Sequence, residues 1–258
     1  MTVSQFATYP SLDGMPVVIS GGASGIGEGL VREFAAQGST VGFVDIAADA
    51  GRKLEAELNA AGATVKFTEC DITDIAAYQA AIRGFEAAHG PALALVNNAA
   101  NDLRHKWDEV TPEFWDKAIA VNAKHAFFAA QAVLPGMVAA KRGSIINFGS
   151  ISWMIMTGNL AAYTASKAAM HGLSRSLARD VGPHGIRVNT LVPGWIMTER
   201  QLTHWVDDTA NRLIDEQQAL AGRLYPVDIA RMALFLAADD SKMISAQDFV
   251  VDGGWAHG

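Results

Sequence analysis

The stretch YTASK places Tyr163 four residues before Lys167. On a helix this spacing puts the two side chains on one face, a single turn apart. A phenol with a pKa of about 10 is a poor base, but a neighbouring positive charge favours its phenolate form. The pair therefore predicts a general base that can remove a proton from an alcohol. By itself, Y-x-x-x-K is common on helices and needs support from other residues.

Two polar positions earlier in the chain give this pair its context. Ser150, in the segment GSIS, lies thirteen residues before Tyr163, where its hydroxyl can stabilise charge on a reacting oxygen. Ser152 is the second candidate for that role, and either serine can instead be an ordinary turn residue. Asn122 interrupts the apolar stretch IAVNAKHAFFAAQ, where a mid-helix Asn competes with the backbone for hydrogen bonds.

The elements that position these residues alternate between strand and helix. Apolar runs predict seven strands, over residues 15–20, 41–45, 64–69, 92–97, 144–148, 186–192 and 248–251. Helical patterns separate them, over residues 27–37, 50–61, 74–89, 111–138, 161–181, 199–220 and 227–238. This alternation predicts a single α/β domain over residues 1–258, with a doubly wound parallel sheet covered by helices on both faces.

A glycine-rich turn, SGGASGIG, joins the first strand to the first helix. Its glycines permit a tight turn and close approach of a pyrophosphate, while the helix N-terminus offers free N–H groups. The position at the first strand–helix crossover favours a nucleotide site over a merely flexible turn. Asp45 ends the second strand, where a carboxylate can accept hydrogen bonds from both hydroxyl groups of an adenosine ribose and repel a 2′-phosphate. The sequence therefore predicts NAD rather than NADP.

Together these motifs resemble the short-chain dehydrogenase/reductase family, from G-x-x-x-G-x-G at residues 21–27 to DGG at residues 252–254. The resemblance implies a Rossmann-type fold with a catalytic tetrad. In it Tyr163 is the base, Ser150 polarises the substrate oxygen, and Lys167 lowers the pKa of Tyr163 and holds the nicotinamide ribose. Asn122 bends its helix and holds a water in a proton relay. A homotetramer is also implied, although the Ala-rich face of residues 161–177 could equally pack internally.

The same resemblance implies a cofactor site assembled from the strand ends. Its residues are Gly21, Ser24, Gly25, Ile26, Gly27, Asp45, Ile46, Asp71, Ile72, Asn98, Ala99, Ala100, Tyr163, Lys167, Pro193, Gly194, Ile196 and Thr198. Ala100 stands where the family has glycine, and its methyl group would alter the backbone slightly or tighten the nicotinamide site.

The pattern NNAAND-x-RH followed by INFGSISW resembles the aldose 1-dehydrogenases of this family, which oxidise the anomeric hydroxyl of a sugar to a lactone. The implied sugar contacts are Asn101, His105, Ser150, Ser152, Trp153, Tyr163 and Trp195. Trp153 could serve as a platform for the sugar or simply pack in the core. Asp102 and Arg104 fit substrate contact and a salt-bridged surface loop equally well. The polar segment 197–222 is expected to be a lid.

Charge and composition exclude several other classes of protein. The net charge is −7 and no basic cluster is visible, which disfavours nucleic acid or an anionic membrane as partner. One cysteine permits no intrachain disulfide, and no secretory signal is recognised, so a reducing cytoplasmic location and no bound metal are expected. Two alternatives remain. One is a secondary-alcohol or 3-oxoacyl reductase of the same family; the other is a dinucleotide-sensing regulator without chemistry, which the intact tetrad disfavours.

Overall fold

Seven parallel strands form one sheet at the centre of the computed structural model, which describes residues 6–256. In spatial order they are β3 (Thr64–Glu69), β2 (Thr40–Asp45), β1 (Pro16–Ser20), β4 (Ala94–Asn97), β5 (Gly143–Phe148), β6 (Ile186–Pro193) and β7 (Asp248–Val251). This order confirms the predicted doubly wound α/β architecture. The order in which strands are added to the sheet reverses between β1 and β4, and ligands of such sheets bind at the carboxyl ends of the strands beside that point.

The described range contains nine α-helices. They are α1 (Gly25–Ala36), α2 (Ala48–Ala60), α3 (Ile75–His89), α4 (Pro112–Ile119), α5 (His125–Ala140), α6 (Ala161–Val181), α7 (Glu199–His204), α8 (Asp208–Gln217) and α9 (Pro226–Ala237). No helix in residues 6–256 is long and apolar enough to cross a membrane.

Alternating strand side chains divide the core into two apolar layers. Val17 and Ile19 of β1 face the layer that contains α1 and α9, whereas Val18 faces the layer that contains α3, α5 and α6. Because both faces are covered, the central strand β1 is apolar at successive positions, whereas the edge strand β3 alternates buried and exposed residues. Helix α6 thus packs directly on the sheet, and this contact fixes where Tyr163 and Lys167 emerge.

The helix predicted over residues 111–138 is interrupted at Asn122. The structure divides it into α4, a π-helical turn (Ala120–Lys124) and α5. The Asn122 Nδ2 donates to the Ala118 carbonyl of α4 at 3.0 Å, so this carbonyl has a side-chain hydrogen-bond donor. A π-helical turn inside a helix is a recurrent feature of functional sites. The helix is therefore interrupted at the residue where a bend was expected.

The polar helix predicted over residues 199–220 is wrong in detail, because two helices replace it. Helix α7 ends at His204, and α8 begins after Asp207, whose side chain accepts a hydrogen bond from the Ala210 N–H. An N-terminal cap of this kind stops one helix and starts another, and the capping Asp was overlooked in the sequence. The segment 197–222 nevertheless leaves and rejoins the fold at one place, because Ile196 pairs with Leu224.

A row of buried polar side chains crosses the sheet and reaches α6. Asn97, Asn147 and Thr190 are register neighbours on β4, β5 and β6. The Asn97 Nδ2 donates to the Asn147 Oδ1 at 2.8 Å, and the Asn147 Nδ2 donates to the Ser174 Oγ of α6 at 2.9 Å. The Thr190 hydroxyl lies 3.0 Å from the same Ser174 oxygen. Because buried polar groups must be paired, this row fixes the register of α6 over the sheet.

Candidate active site

A cavity of about 1360 Å³ opens at the carboxyl ends of the strands, beside the reversal of the sheet. Its wall contains most of the predicted cofactor residues, including the glycine turn, Asp45, Asp71, the Asn98–Ala100 segment and the Pro193–Thr198 segment. Gly25 is absent from that wall and faces Thr198 instead. The predicted residues therefore meet in one continuous groove.

The glycine turn is shaped by close backbone contacts that larger residues would block. Gly21 has a φ of +67°, and a Cβ on Gly27 would lie only 1.7 Å from the Gly21 carbonyl oxygen. Ser24 precedes α1 without capping it through its side chain, so the first N–H groups of the helix stay available to an anion. These features fit the pyrophosphate of a dinucleotide.

Asp45 is held with its carboxylate in the wall of the groove. Its Oδ2 accepts the Ala23 N–H at 3.0 Å, and its Oδ1 accepts the Ala47 N–H at 2.9 Å. Each carboxylate oxygen has a second lone pair, so ribose hydroxyls can still donate to it. The adjacent wall is formed by Ile46, Asp71 and Ile72, as expected for an adenosine site.

The end of β4 is tied to β1 by the residues of the VNNAA segment. The Ser20 Oγ accepts the backbone N–H groups of Asn98 and Ala99, each at 3.1 Å. The Asn98 Nδ2 donates to the carbonyl oxygens of Ser20 and Gly21 at 3.0 Å. Ala100 lines the groove, and its backbone does not adopt the left-handed conformation that favours glycine. Its methyl group is therefore accommodated without backbone strain.

Tyr163 and Ser150 meet at the inner end of the cavity. Ser150 caps the 3₁₀ turn Ile151–Trp153, where its Oγ accepts the Ser152 N–H at 3.2 Å. A hydroxyl has one proton to donate, and this bond uses only an acceptor site of Ser150. Its proton therefore remains available to an oxygen in the cavity, including the Tyr163 hydroxyl to which it is hydrogen-bonded.

The electrostatics of the tyrosine differ from the simple expectation drawn from its neighbour Lys167. Burial raises the pKa of Tyr163 to about 12, the hydrogen bond with Ser150 opposes that rise, and the charge of Asp102 adds to it. The Lys167 Nζ lies 5.8 Å from the Tyr163 ring centroid and donates to the Phe148 carbonyl at 2.9 Å. Burial also lowers the pKa of Lys167 to about 8. The groups of the chain thus keep the phenol protonated at neutral pH.

Asn122 lies behind the cavity wall rather than in it. Its Oδ1 accepts the Asn101 N–H at 2.7 Å, and its Nδ2 donates to the Asn101 carbonyl at 3.1 Å. The side chain thus anchors the loop after β4 to the π-helical turn. The water relay expected of Asn122 stays a prediction.

Two of the predicted sugar contacts lie outside the cavity. His105 is buried, its Nε2 accepts the Ala162 N–H at 3.4 Å, and its ring packs on Phe114, so it caps the start of α6. Trp153 turns towards His171 and is absent from the cavity wall. The structure does not bring these two side chains to the cavity wall, because residue type does not reveal which way a loop side chain turns.

The other predicted sugar contacts do line the cavity. Asn101, Ser152 and Trp195 lie in the wall with Ser150 and Tyr163. The buried Ser152 Oγ has no hydrogen-bond partner within residues 6–256. A buried hydroxyl without a partner is costly, so Ser152 can receive a polar group of a substrate. Trp195, whose ring lies 6.2 Å from that of Trp255, offers the apolar platform assigned to Trp153.

Asp102 and Arg104 connect the loop after β4 to the segment 197–222. The Asp102 Oδ1 accepts from Arg200 at 3.1 Å, and its Oδ2 accepts from the Gln201 Nε2 at 2.8 Å. The Arg104 guanidinium lies 4.4 Å from the Trp205 ring centroid. Gln201 in turn accepts the Trp195 indole N–H at 2.9 Å. We call these contacts the clasp; Asp102, Arg104, Arg200 and Gln201 also line the cavity.

Several cavity residues were missed because they lie on segments with no recognised chemistry. They are Met154, Ile155, Met156, Gln201, Leu213, Gln217 and Trp255. The apolar positions of α8 could have suggested Leu213, but nothing in the sequence indicates that the chain end folds Trp255 over the site. Within residues 6–256 no three His, Cys, Asp or Glu side chains are grouped to hold a metal ion.

Known proteins resemble this chain in both sequence and structure. Residues 21–256 match a family profile described as enoyl-(acyl carrier protein) reductase. A D-xylose 1-dehydrogenase of Caulobacter vibrioides is 44% identical over 96% of this chain and 98% of that protein. A Rhizobium meliloti protein named "Probable galactose dehydrogenase" is 41% identical over 95% of this chain and 96% of that protein.

Among solved structures, a mutant short-chain dehydrogenase/reductase of Serratia marcescens superimposes with a TM-score of 0.87 at 30% identity, covering 95% of this chain and 99% of that one. A blue fluorescent protein from a metagenomic library, in complex with NADPH, gives the same TM-score and coverage at 32% identity.

Proposed function

Because this chain belongs to the short-chain dehydrogenase/reductase family of oxidoreductases, which act on CH–OH groups with a nicotinamide dinucleotide, we propose that it oxidises C1 of an aldose with NAD. The product is the aldonolactone. The observation that carries the substrate assignment is the polar wall beside Tyr163, formed by Ser152, Asp102 and Gln201. Such a wall suits a substrate with several hydroxyl groups. The names of the two relatives at 44% and 41% identity support the same assignment.

In the proposed reaction, the C1 hydroxyl lies within reach of both Ser150 and Tyr163. Ser150 donates its hydroxyl proton to the reacting oxygen, since its other bond uses only a lone pair. Tyr163, as phenolate, removes the proton of that hydroxyl, and the C1–H bond breaks as the C1–O double bond forms. When bound, the oxidised nicotinamide accepts the hydride and contributes a positive charge near the phenol. That charge favours the phenolate, which the chain's own groups disfavour.

The NAD preference rests on Asp45. Its carboxylate is fixed by two backbone N–H groups. There it can accept hydrogen bonds from the hydroxyl groups of the adenosine ribose and repel a 2′-phosphate. The metagenomic blue fluorescent protein was solved in complex with NADPH. For this chain we expect NAD instead, because of the Asp45 carboxylate.

We further propose that segment 197–222 is a lid and that the chain forms a homotetramer. The clasp supports the lid because it joins the segment to the loop after β4 at the cavity wall. Exposed rings of Trp115 and Phe127 on α4 and α5 support an interface between subunits. Limited proteolysis with and without NAD tests the lid, and unchanged cleavage within 197–222 would speak against ordering by the cofactor.

The second candidate function is oxidation of an apolar secondary alcohol. The opposite wall of the cavity favours it, because Met154, Ile155, Leu213 and Trp255 present an apolar surface. A 36% identical relative in Mycobacterium tuberculosis is named a 3-alpha-(or 20-beta)-hydroxysteroid dehydrogenase. The two candidates differ in which wall selects the substrate.

Initial rates of nicotinamide reduction distinguish the candidates. We expect turnover of pentoses or hexoses with NAD, weak turnover with NADP, and little with apolar secondary alcohols. Tyr163→Phe should lower kcat by roughly 10²- to 10⁴-fold, the usual contribution of a positioned base, with NAD still bound. Turnover restricted to apolar alcohols would remove the sugar assignment. Full activity of Tyr163→Phe would remove Tyr163 as the base, and tight NAD binding without any turnover would favour a regulator.

A further inference from the structure

Outside the cavity, three polar side chains from three elements meet behind the Ser150 turn. The Trp153 Nε1 donates to the His171 Nε2 of α6 at 3.1 Å. The His171 Nδ1 lies 2.9 Å from the Asp248 Oδ1 of β7, and the other Asp248 oxygen accepts from Arg175 at 2.9 Å. His171 is buried, whereas 40% of the Trp153 surface is exposed. A tryptophan exposed to this extent is not held there by core burial alone.

The hydrogen bonds determine which nitrogen of His171 carries the proton. An indole N–H can only donate, so the Nε2 must accept and be unprotonated. The remaining proton of the neutral ring therefore sits on Nδ1, beside the Asp248 carboxylate. This arrangement holds the ring in one orientation, with its acceptor nitrogen aimed at Trp153. The imidazole ring also packs on the backbone before Ser150, because a Cβ on Gly149 would lie 3.2 Å from the Nε2.

The contact joins the two halves of the catalytic group. His171 lies on α6, four residues after Lys167 and eight after Tyr163, so the three share one helix face. Trp153 ends the 3₁₀ turn that Ser150 caps. The Trp153–His171 hydrogen bond thus ties the turn that carries Ser150 to the helix that carries Tyr163.

We propose that Trp153 and His171 are positioning residues, which hold the Ser150 hydroxyl in register with Tyr163. The indole acts through its N–H and the turn, not by touching substrate. Displacement of a catalytic group by about 1 Å can cost on the order of 100-fold in rate, so a single remote hydrogen bond can matter at this place. The inference depends on the oxidoreductase chemistry of the site and holds whether the alcohol is a sugar or not.

Four variants test the proposal on the best substrate of the wild-type enzyme. Trp153→Phe keeps an apolar ring without the N–H, and His171→Leu keeps bulk without the acceptor. Each should lower kcat by about 10- to 100-fold, with KM and the Kd for NAD within about twofold of wild type. His171→Gln restores an acceptor oxygen and should recover most of the activity. The kcat of the double variant Trp153→Phe/His171→Leu should be no lower than that of the less active single variant.

Two controls separate positioning from general damage to the fold. Trp107→Phe, at a tryptophan that is 85% exposed, should leave kcat unchanged. In a Ser150→Ala background, Trp153→Phe should have almost no further effect, because the residue it positions is gone. Folded single variants with wild-type kcat, or additive losses in the double variant, would overturn the proposal.

A readout that needs no substrate keeps the proposal independent of the proposed function. The Ser152 amide is bonded to the Ser150 Oγ, so its hydrogen exchange reports the order of the turn. Exchange in peptides covering residues 149–157 should be faster in Trp153→Phe and His171→Leu than in wild type or Trp107→Phe. Unchanged exchange would contradict the inference even if no alcohol were ever turned over.

Discussion

At the scale of single residues, charge decides what Tyr163 can do. Its phenol is buried, and the pKa of about 12 leaves it protonated at neutral pH. Lys167 donates to the Phe148 carbonyl and its pKa is lowered to about 8, so it is a weaker source of positive charge than a solvated lysine. In the proposed reaction, the phenolate of Tyr163 is therefore favoured chiefly by what binds beside it. Such an enzyme keeps its tyrosine inert until cofactor and substrate are in place.

Asp45 provides a direct test of cofactor choice. We expect Asp45→Asn to raise the ratio of kcat/KM with NADP to that with NAD by at least about tenfold. The repulsion between a carboxylate and a phosphate a few ångströms apart costs about 1 kcal/mol in bulk water and about 4 kcal/mol near a protein surface. Asp49→Asn is the matched control, since it removes the same charge from an exposed site at the start of α2. Equal ratios in the two variants would contradict a role for Asp45 in discrimination.

The residues that could be foreseen from the sequence are those whose motif fixes both position and direction. Tyr163 and Lys167 lie on helix α6, whose place in the fold is set by periodicity, and Ser150 closely follows the end of strand β5; all three reach the cavity. His105 and Trp153 lie in irregular segments, where the same sequence could turn either way. Their contacts depend on Ala162 and His171, far along the chain, which no local pattern reveals.

At the scale of elements, the clasp explains the unusual cluster of polar residues after β4. Arg104→Lys should raise the KM for substrate severalfold and speed proteolysis between α7 and α8. Lysine keeps the charge but loses the planar stacking of the guanidinium on Trp205. Steady-state kinetics and timed digestion measure the two effects. Arg212→Lys, on the exposed side of α8, is the control, and identical behaviour of the two variants would exclude the clasp as a lid contact.

The buried polar row makes a separate prediction about stability. Ser174→Ala removes the hydroxyl that Asn147 and Thr190 share and leaves both without that partner. The free energy of unfolding in urea should fall by about 1–3 kcal/mol. Ser176→Ala, exposed on the same helix, should change it by less than about 0.5 kcal/mol. A loss no larger than that of Ser176→Ala would mean that the row contributes little.

The strands and most helices could be predicted because their apolar periodicity matches the layers that bury them. Helix α6, over residues 161–181, has the predicted limits. Periodicity alone misses the two helix interruptions, at Asn122 and Asp207, which occur where one polar side chain bonds to the backbone of its own segment. Such bonds compete with regular helix locally, and hydrophobic periodicity carries no trace of them.

At the scale of the whole molecule, one buried histidine should control acid stability. Burial lowers the pKa of His125 to about 3, and the charge of Lys167 acts in the same direction. Between about pH 6.5 and pH 3, the unfolded chain therefore binds a proton at this site that the folded chain does not. The stability contributed by neutral His125 is complete above pH 6.5 and is lost progressively as the pH falls through this window.

Urea unfolding of His125→Phe at pH 7 and pH 4.5 measures this contribution. On lowering the pH, wild type should lose about 2–3 kcal/mol more than the variant, because phenylalanine does not titrate. His184→Phe replaces an exposed histidine and should follow wild type. Parallel losses in wild type and His125→Phe would show that other groups govern the acid transition.

The pairing of Ile196 with Leu224 has a consequence for how such enzymes diversify. Because the segment 197–222 departs from and returns to the same point, it is a closed excursion whose removal leaves the sheet continuous. Related chains could exchange this segment as a unit. The cavity wall would then change, while the residues proposed for hydride transfer would stay the same. Evolution can then vary the substrate and preserve the chemistry by editing one contiguous stretch of gene.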